Sequence, residues 1–315
     1  MRIRLSRDLA DLLASSALSA LLFATGALVP IVGPAAGFLS TAPLIWVAAR
    51  HGLAVGYLGG ALATAALLPA LPPPVALIFA IEHALPAGFL GWRLARGRGI
   101  VAGSALAALL VTLLVAGAAW LFLDSSGRDP LQAIEGQLRA GLEELGTLGG
   151  GAPKTDPSGA LPPGIEEVIA LVRRVLPAVT LIGVFLECSL NSLVAWRVLA
   201  RTPAAVPAPE LSGFALPEWL IWVLIPCLAL ALVSQPVVST VALNLLLPLL
   251  FAYLLQGLSI VVHLAARARL SPLGRMLGAL ALAVFPWLLA APLLLGLLDF
   301  RFGFRRRWPI QTPQA

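Results

Sequence analysis

The sequence predicts an all-α fold: a polytopic transmembrane helical bundle of about eight to nine spans with one polar extramembrane insert. Apolar residues make up 59% of the chain and charged residues only 11%, against about 25% charged in an ordinary soluble protein. The apolar residues fall in long runs, five before and four after a polar stretch of roughly forty residues. The arginines stand at the ends of those runs, where topology determinants belong. That placement also disposes of nucleic acid as a partner, which the net charge of +6 would otherwise suggest. The partner implied first is the lipid bilayer.

Residues 1–123 read as an N-terminal five-span bundle. Arg2, Arg4 and Arg7 precede an apolar run from Leu12 to Pro30, expected as an uncleaved first span because hydrophobic segments continue to residue 298. Within it Ser16, Ala20, Ala24 and Ala27 form a small-residue stripe at helical spacing, open to reading as a helix-packing face or as alanine-rich composition. Gly33 to Ala49 is a short second span interrupted by proline. The third, Gly52 to Leu71, opens with Gly52, Gly56 and Gly60, a doubled small-xxx-small pattern that favours close helix contact. Prolines 72 to 74 then end it. The fourth span, Val75 to Leu94, holds Glu82 and His83 near its middle and is closed by Arg93, Arg96 and Arg98. Adjacent helical residues diverge by about 100°, so this pair grips one small ion only with a third partner, though it can bracket a polar cavity; the plainer reading has Glu82 protonated, or paired with an arginine or His83 for packing. The fifth span, Val101 to Leu123, is uniformly apolar and structural.

Residues 124–174 form the polar insert. Asp129 and Pro130 make an N-cap and first-turn pair. Leu131, Ile134, Leu138, Leu142 and Leu145 then recur at three and four residues, an amphipathic helix that lies on the membrane or caps the bundle. Gly146 to Gly164 is a Gly/Pro-rich linker, and Glu166 to Arg174 lead into the next span.

The C-terminal region, 175–315, is expected to add three to four spans and a basic tail. Its first segment, Val175 to Trp196, has 22 residues, enough at ~1.5 Å each to cross a ~30 Å hydrocarbon layer. Glu187 and Asn191 lie near its middle, four apart and so on one helix face. A carboxylate at that depth is costly and marks a functional site by default. A seventh span is expected over Glu218 to Val233 and an eighth over Val237 to Leu264. Glu82, His83, Glu187 and Asn191, with Gln256 of the eighth, are therefore the candidate solute- or ion-binding residues. Asn244, Gln256 and His263 are otherwise read as helix-joining groups. The last segment, Leu277 to Leu298, carries Pro286 and Pro292 and ends in Asp299 and the cluster Arg301, Arg305, Arg306 and Arg307. With the N-terminus cytoplasmic, the other arginines obey the positive-inside rule, but nine full spans leave this cluster outside. The alternative is a re-entrant last segment and a count of eight; nine is preferred because 22 apolar residues are long for a re-entrant piece.

No catalytic residue, cofactor or metal is implied. Lys154 is the sole lysine, and no Walker A loop or kinase-like lysine is present, so any energy source is external. Cys188 and Cys227 have no Cys or His at ligand spacing. Glu82, His83 and Ser189 supply acid, base and nucleophile types, but at no hydrolase or zinc-peptidase spacing, so an enzyme is not expected.

In the C-terminal third, three stretches resemble the YybS-like family of uncharacterised bacterial membrane proteins. They are Leu216, Pro217, Glu218 and Trp219; Leu255, Gln256, Gly257, Leu258 and Ser259; and Gly296, Leu297, Leu298 and Asp299 running into Phe300, Arg301, Phe302 and Arg305. The resemblance implies a multi-pass protein of the bacterial cytoplasmic membrane, distantly similar to the solute-binding S components of energy-coupling factor transporters. In those, a separate transmembrane subunit and ATPase subunits supply energy, and a small-residue face like that of the first span serves for docking. The additional spans depart from the six-helix pattern of such components. The expected function is thus a solute-binding or transport component; the alternative is a non-transporting scaffold or regulator acting through the insert.

Overall fold

Ser40 and Thr41 interrupt what the sequence suggests as one span, and the first structural unit is arranged around that interruption. The computed structural model describes residues 2–29, 33–126, 136, 165–202, 214–233 and 235–307. Apart from Gly136, the amphipathic helix and linker expected in the insert lie outside the described residues. The chain divides into two compact units, Met1–Pro209 and Glu210–Ala315.

The first unit contains α1 (Arg2–Leu28), α2 (Gly33–Phe38), α3 (Ala42–His51), α4 (Leu53–Leu67), α5 (Pro73–Phe79), a π-helical turn (Ala80–Ala84), α6 (Leu85–Ala95), α7 (Ile100–Ser126) and α8 (Ile165–Leu199). Helix α3 is its centre. It packs on α1, α4, α6 and α8, and Leu44, Ile45, Val47 and Ala48 are fully buried. With only 10 residues it spans ~15 Å, half a hydrocarbon layer. Buried in protein, it and the break before it avoid exposing backbone polar groups to lipid.

Glycines set the spacing around α3. A Cβ on Gly91 of α6 would meet Ala48 Cβ and Ile45 O, each at 2.5 Å, and one on Gly60 of α4 would meet Ala84 Cβ at 2.8 Å. Gly56 lies against Ala48 and Gly88 in the same way. Gly52 does not share that face. It joins α3 to α4 at a φ of 102°, with open space where a Cβ would stand. Its use is the conformation that only glycine adopts easily. On α1, Ser16 and Ala20 are buried and Ala24 is half-buried. Gly59 of α4 comes up against Ser16 and Leu12, so the chain's own helix covers that part of the stripe. At the end where α1 begins, Asp11 meets Arg50 at 3.5 Å and His51 at 3.0 Å, while His51 Nδ1 faces Asp8 at 3.3 Å.

The second unit contains a 3₁₀ turn (Glu218–Leu220), α9 (Ile221–Ala231), α10 (Pro236–Arg267), α11 (Pro272–Val284), a second 3₁₀ turn (Pro286–Leu289), α12 (Ala290–Phe302) and α13 (Phe304–Arg307). Helix α10 is its axis. Leu246 and Tyr253 of α10 and Leu224 and Cys227 of α9 form the core. Helix α12 packs on the same core through Leu293 and Leu297 and crosses α10 where Gly257 meets the backbone of Pro292 and Gly296 meets that of Tyr253.

The expected count of eight to nine spans is not confirmed. Among the described residues five helices are long and apolar enough to cross a membrane, in the stretches Arg7–Leu28, Pro73–Ala95, Ile100–Ala118, Glu167–Leu199 and Pro236–Arg267. A sixth is gained only if Pro272–Val284 and Pro286–Phe302, bent by 108°, make one span. Three expected spans fall short for physical reasons. The second is broken at residues 39–41; the third closes as a helix of 15 residues, ~22 Å long; and the seventh reduces to the short helical stretch Glu218–Ala231. The bend at Phe285–Pro286 also changes the reading of the C-terminus. Arg305 donates to Phe214 O at 2.8 Å and lies 3.3 Å from Ser259 Oγ. The basic cluster therefore returns to the C-terminal part of α10, near Arg267, and not to the opposite end as nine straight spans require.

Candidate functional site

Two interruptions of helical backbone face α8 in the first unit. The first separates α2 from α3 at Leu39–Thr41, ahead of Pro43. A break in a membrane helix frees carbonyls that must find partners. Here Asn191 Nδ2 donates to Phe38 O at 2.7 Å and Ser19 Oγ donates to Ser40 O at 2.5 Å. Asn191 thus reads the end of α2 from across the unit, while its second bond, to Glu187 O at 2.9 Å, fixes it to its own helix. Thr41 occupies the cap position of α3, yet its hydroxyl makes no cap.

The second interruption is the π turn Ala80–Ala84. Pro86 has no N–H to give to Glu82 O, and its ring would press on that carbonyl in a regular α-helix. The wider turn relieves the clash. Single π turns of this kind concentrate at functional sites, and this one carries Glu82 and His83.

The released groups meet. His83 Nδ1 lies 2.8 Å from Glu187 Oε1, and Thr41 Oγ1 donates to the same carboxylate oxygen at 3.0 Å. When Glu187 is ionised its carboxylate only accepts, and the contact is then an Nδ1–H of His83 donating to it. Ser40 Oγ at 3.1 Å and Thr41 Oγ1 at 3.0 Å complete the surround of that nitrogen. The imidazole is held by Phe23, edge-on at 5.1 Å, and Phe79, stacked at 5.5 Å. His83, Glu187 and Asn191 are all buried, Asn191 completely. Hydrogen bonds to a charged acceptor in such a place are worth about 1.5–3 kcal/mol.

Hydrogen-bonding capacity is left over on α8. Asn191 Oδ1, Ser189 Oγ and Ser192 Oγ are buried without a hydrogen-bond partner among the described residues. Glu82 is half-buried, lies within electrostatic range of His83 and Glu187, and makes no hydrogen bond to a described residue. A cavity of about 410 Å³ runs along α1 from Asp11 to Leu22, between α3 and α8, and reaches Leu39, Ala42 and Pro43 at the break. Its walls are mainly apolar, with Asp11 at the far end.

Of the residues singled out from sequence, His83, Glu187 and Asn191 are brought into one cluster, and Glu82 stands beside it. Gln256 belongs to the second unit. There its Nε2 donates to Asp299 Oδ2 at 2.9 Å and its Oε1 accepts from Leu216 N at 3.0 Å. Sequence reasoning missed Ser19, Ser40 and Thr41. The available signal was the run Ser40-Thr41-Ala42-Pro43, a hydroxyl pair before proline inside an apolar stretch, which marks a helix start. Among the described residues no group of three or more His, Cys, Asp or Glu side chains is placed to hold a metal ion.

Long apolar helices enclosing a cluster of buried polar side chains define a helical integral membrane protein. The chain belongs to a family whose members are described as "Predicted membrane protein (DUF2232)", the family model matching residues 17–300. This membership is consistent with the YybS-like resemblance. No curated protein and no solved structure matches the chain.

Proposed function

We propose that the protein is a membrane-embedded solute-binding component of a transport system, with its site at Ser40, Thr41, Glu82, His83, Glu187 and Asn191. One observation carries the reading: two helix interruptions converge on one buried carboxylate. Transporter sites are commonly built from discontinuous helices, whose unwound backbone and polar side chains supply ligands inside the bilayer. A purely structural pair needs neither a broken α2–α3 segment nor a π turn, since regular helices satisfy their own backbone.

Of the spare groups Asn191 Oδ1 only accepts, while the hydroxyls of Ser189 and Ser192 donate as well as accept, which suits a small polar solute carrying both kinds of group. Such a solute exchanges the Glu187–His83 contact for its own contact with Glu187. The protein carries no ATPase motif of its own, so transmembrane and ATPase subunits of the energy-coupling factor kind are the proposed partners. By the positive-inside rule the end bearing Arg50 and the Arg93–Arg98 group faces the cytoplasm of a bacterial cell, with the N-terminus on that side.

The test is thermal stability of the purified full chain against vitamins, nucleosides, amines and cations. A member of the panel should raise the melting temperature of the wild type and not that of Glu187→Gln. Absence of any shift, or equal shifts in both proteins, overturns the reading. Co-purification from native membranes should bring ATPase subunits with the chain.

A further inference from the structure

The three stretches that carry the family resemblance play no part in the site above, yet they converge in the second unit. Leu216 binds Gln256; Gln256 binds Asp299; Gly257 packs on Gly296; Arg305 reaches Ser259. Together they frame a cavity of about 640 Å³. Its lining is chemically lopsided. Arg301, Arg305, Arg306 and Arg307 face it, with only Asp299 and Glu218 as carboxylates.

The two carboxylates do not neutralise the four arginines. Asp299 is committed to the fold: its Oδ2 accepts from Gln256 and from Arg305 Nη2 at 3.1 Å, and its Oδ1 accepts from Phe304 N at 2.9 Å. Arg305 is equally committed, because its other nitrogen holds Phe214 O and Ser259. Gly303, in the left-handed conformation at φ 56°, turns the chain at the end of α12 and carries Arg306 and Arg307 round to the same cavity as Arg301. These three are exposed and their guanidinium groups make no hydrogen bond or ion pair with a described residue, although that of Arg307 lies 5.7 Å from the Phe302 ring. Glu218 is exposed at the rim. A preformed, buried Asp299–Arg305 pair thus supports an array of unspent guanidinium groups.

We infer that this cavity binds a phosphate-bearing anion. Guanidinium groups present planar forks of donors that match phosphate oxygens two at a time, and several arginines at one site suit a group with three such oxygens. The cationic side chains here are all arginine, with His263 besides. The remaining walls, including Leu216, Tyr253, Phe300 and Phe302, are apolar or aromatic, which suits a phosphate joined to an organic group. The cavity opens where α10 and α12 approach their C-terminal ends, the level at which a bilayer offers headgroup phosphates to basic pockets. A phospholipid headgroup and a soluble phosphate ester share this chemistry.

Titration calorimetry on the full chain in neutral detergent at physiological salt separates the sources. The probes are short-chain phosphatidylglycerol, short-chain phosphatidylcholine and glycerol phosphate. Saturable binding is expected for phosphatidylglycerol, for glycerol phosphate, or for both, and at least tenfold more weakly for phosphatidylcholine. Binding of phosphatidylglycerol alone identifies a lipid headgroup; equal binding of glycerol phosphate identifies a soluble ester. Arg301→Gln with Arg306→Gln, both exposed and outside the Asp299 pair, should weaken binding at least tenfold. Arg96→Gln with Arg98→Gln removes the same charge from a cluster stacked on Trp92 and should leave binding unchanged. The inference is overturned by no saturable binding, by equal affinity for phosphatidylcholine, by retained affinity in the Arg301/Arg306 variant, or by an equal loss in the Arg96/Arg98 variant.

Discussion

Substituting His83 and Glu187 by glutamine, singly and together, measures how strongly the buried contact holds the helices of the first unit. The 2.8 Å contact joins side chains only 9% and 11% exposed, so solvent screens it little. In Glu187→Gln the neutral amide still accepts from Thr41, and a bond to a charged group, about 1.5–3 kcal/mol, becomes a neutral one of about 0.5–1.5. The expected cost is about 1–2 kcal/mol. His83→Gln removes the imidazole Nδ1 from beside the carboxylate, leaving the described contact from Thr41, and takes the ring away from Phe23 and Phe79. Breaking a buried pair from one side costs about 3–5 kcal/mol. The double variant, lacking the orphaned charge, should be less unstable than the sum of the two by about 1.5–3 kcal/mol. An ordinary polar contact between membrane helices gives only ~0.6 kcal/mol in such a cycle. Equilibrium unfolding in mixed micelles, titrated with sodium dodecyl sulfate, gives the coupling directly. A value below ~0.5 kcal/mol refutes the charge-assisted contact on which the site is built.

Four other changes probe separate parts of the account. Gly257→Ala should destabilise the second unit by about 1–3 kcal/mol or more, because the added methyl meets the Pro292 backbone, which cannot step aside; unchanged stability in the same titration contradicts the α10–α12 crossing. Asp299→Asn should cost about 1.5–3 kcal/mol through loss of its charged bond to Arg305, and a neutral outcome dissociates that pair from the fold. Asp11→Asn should cost less than about 1 kcal/mol, since Asp11 and Arg50 are 26% and 43% exposed; a larger loss would show that end to be less solvated than drawn. Finally, Glu82→Cys with Glu187→Cys, in a background with Cys188 and Cys227 changed to alanine, should be joined by a short bifunctional reagent, as seen by the mobility of a chain cut in the 124–164 insert. Failure to crosslink removes Glu82 from the cluster.

The helical membrane class was legible because it rests on summed composition and run length, which no single tertiary contact reverses. Span number was not, because it depends on breaks. Residues 33–49 are apolar enough to read as one segment, but Ser40, Thr41 and Pro43 split them, and whether a hydroxyl pair caps, packs or reaches across a bundle is decided by what lies opposite. Glu187 was conspicuous as a carboxylate in an apolar run, and its spacing from Asn191 put both on one face; the partners that define the cluster, Thr41 and Ser40, lie 146 and 147 positions away in sequence. His83 stands beside Glu82 in sequence, yet its short contact is to Glu187, 104 positions away and on another helix. Gln256 shows the reverse case. Its amide in an apolar helix signalled a partner but not which, and Asp299, at the edge of the last apolar run, is the one it found.

The central claim is that the converging interruptions hold a solute through Glu187. Native mass spectrometry of the full chain released from membranes tests it most directly, comparing the wild type with Glu187→Gln. The account predicts an additional small-molecule mass on the wild type that is absent from the variant, while the variant remains folded by its unfolding transition. A bare wild-type mass that no panel compound shifts, or an adduct retained equally by Glu187→Gln, contradicts it.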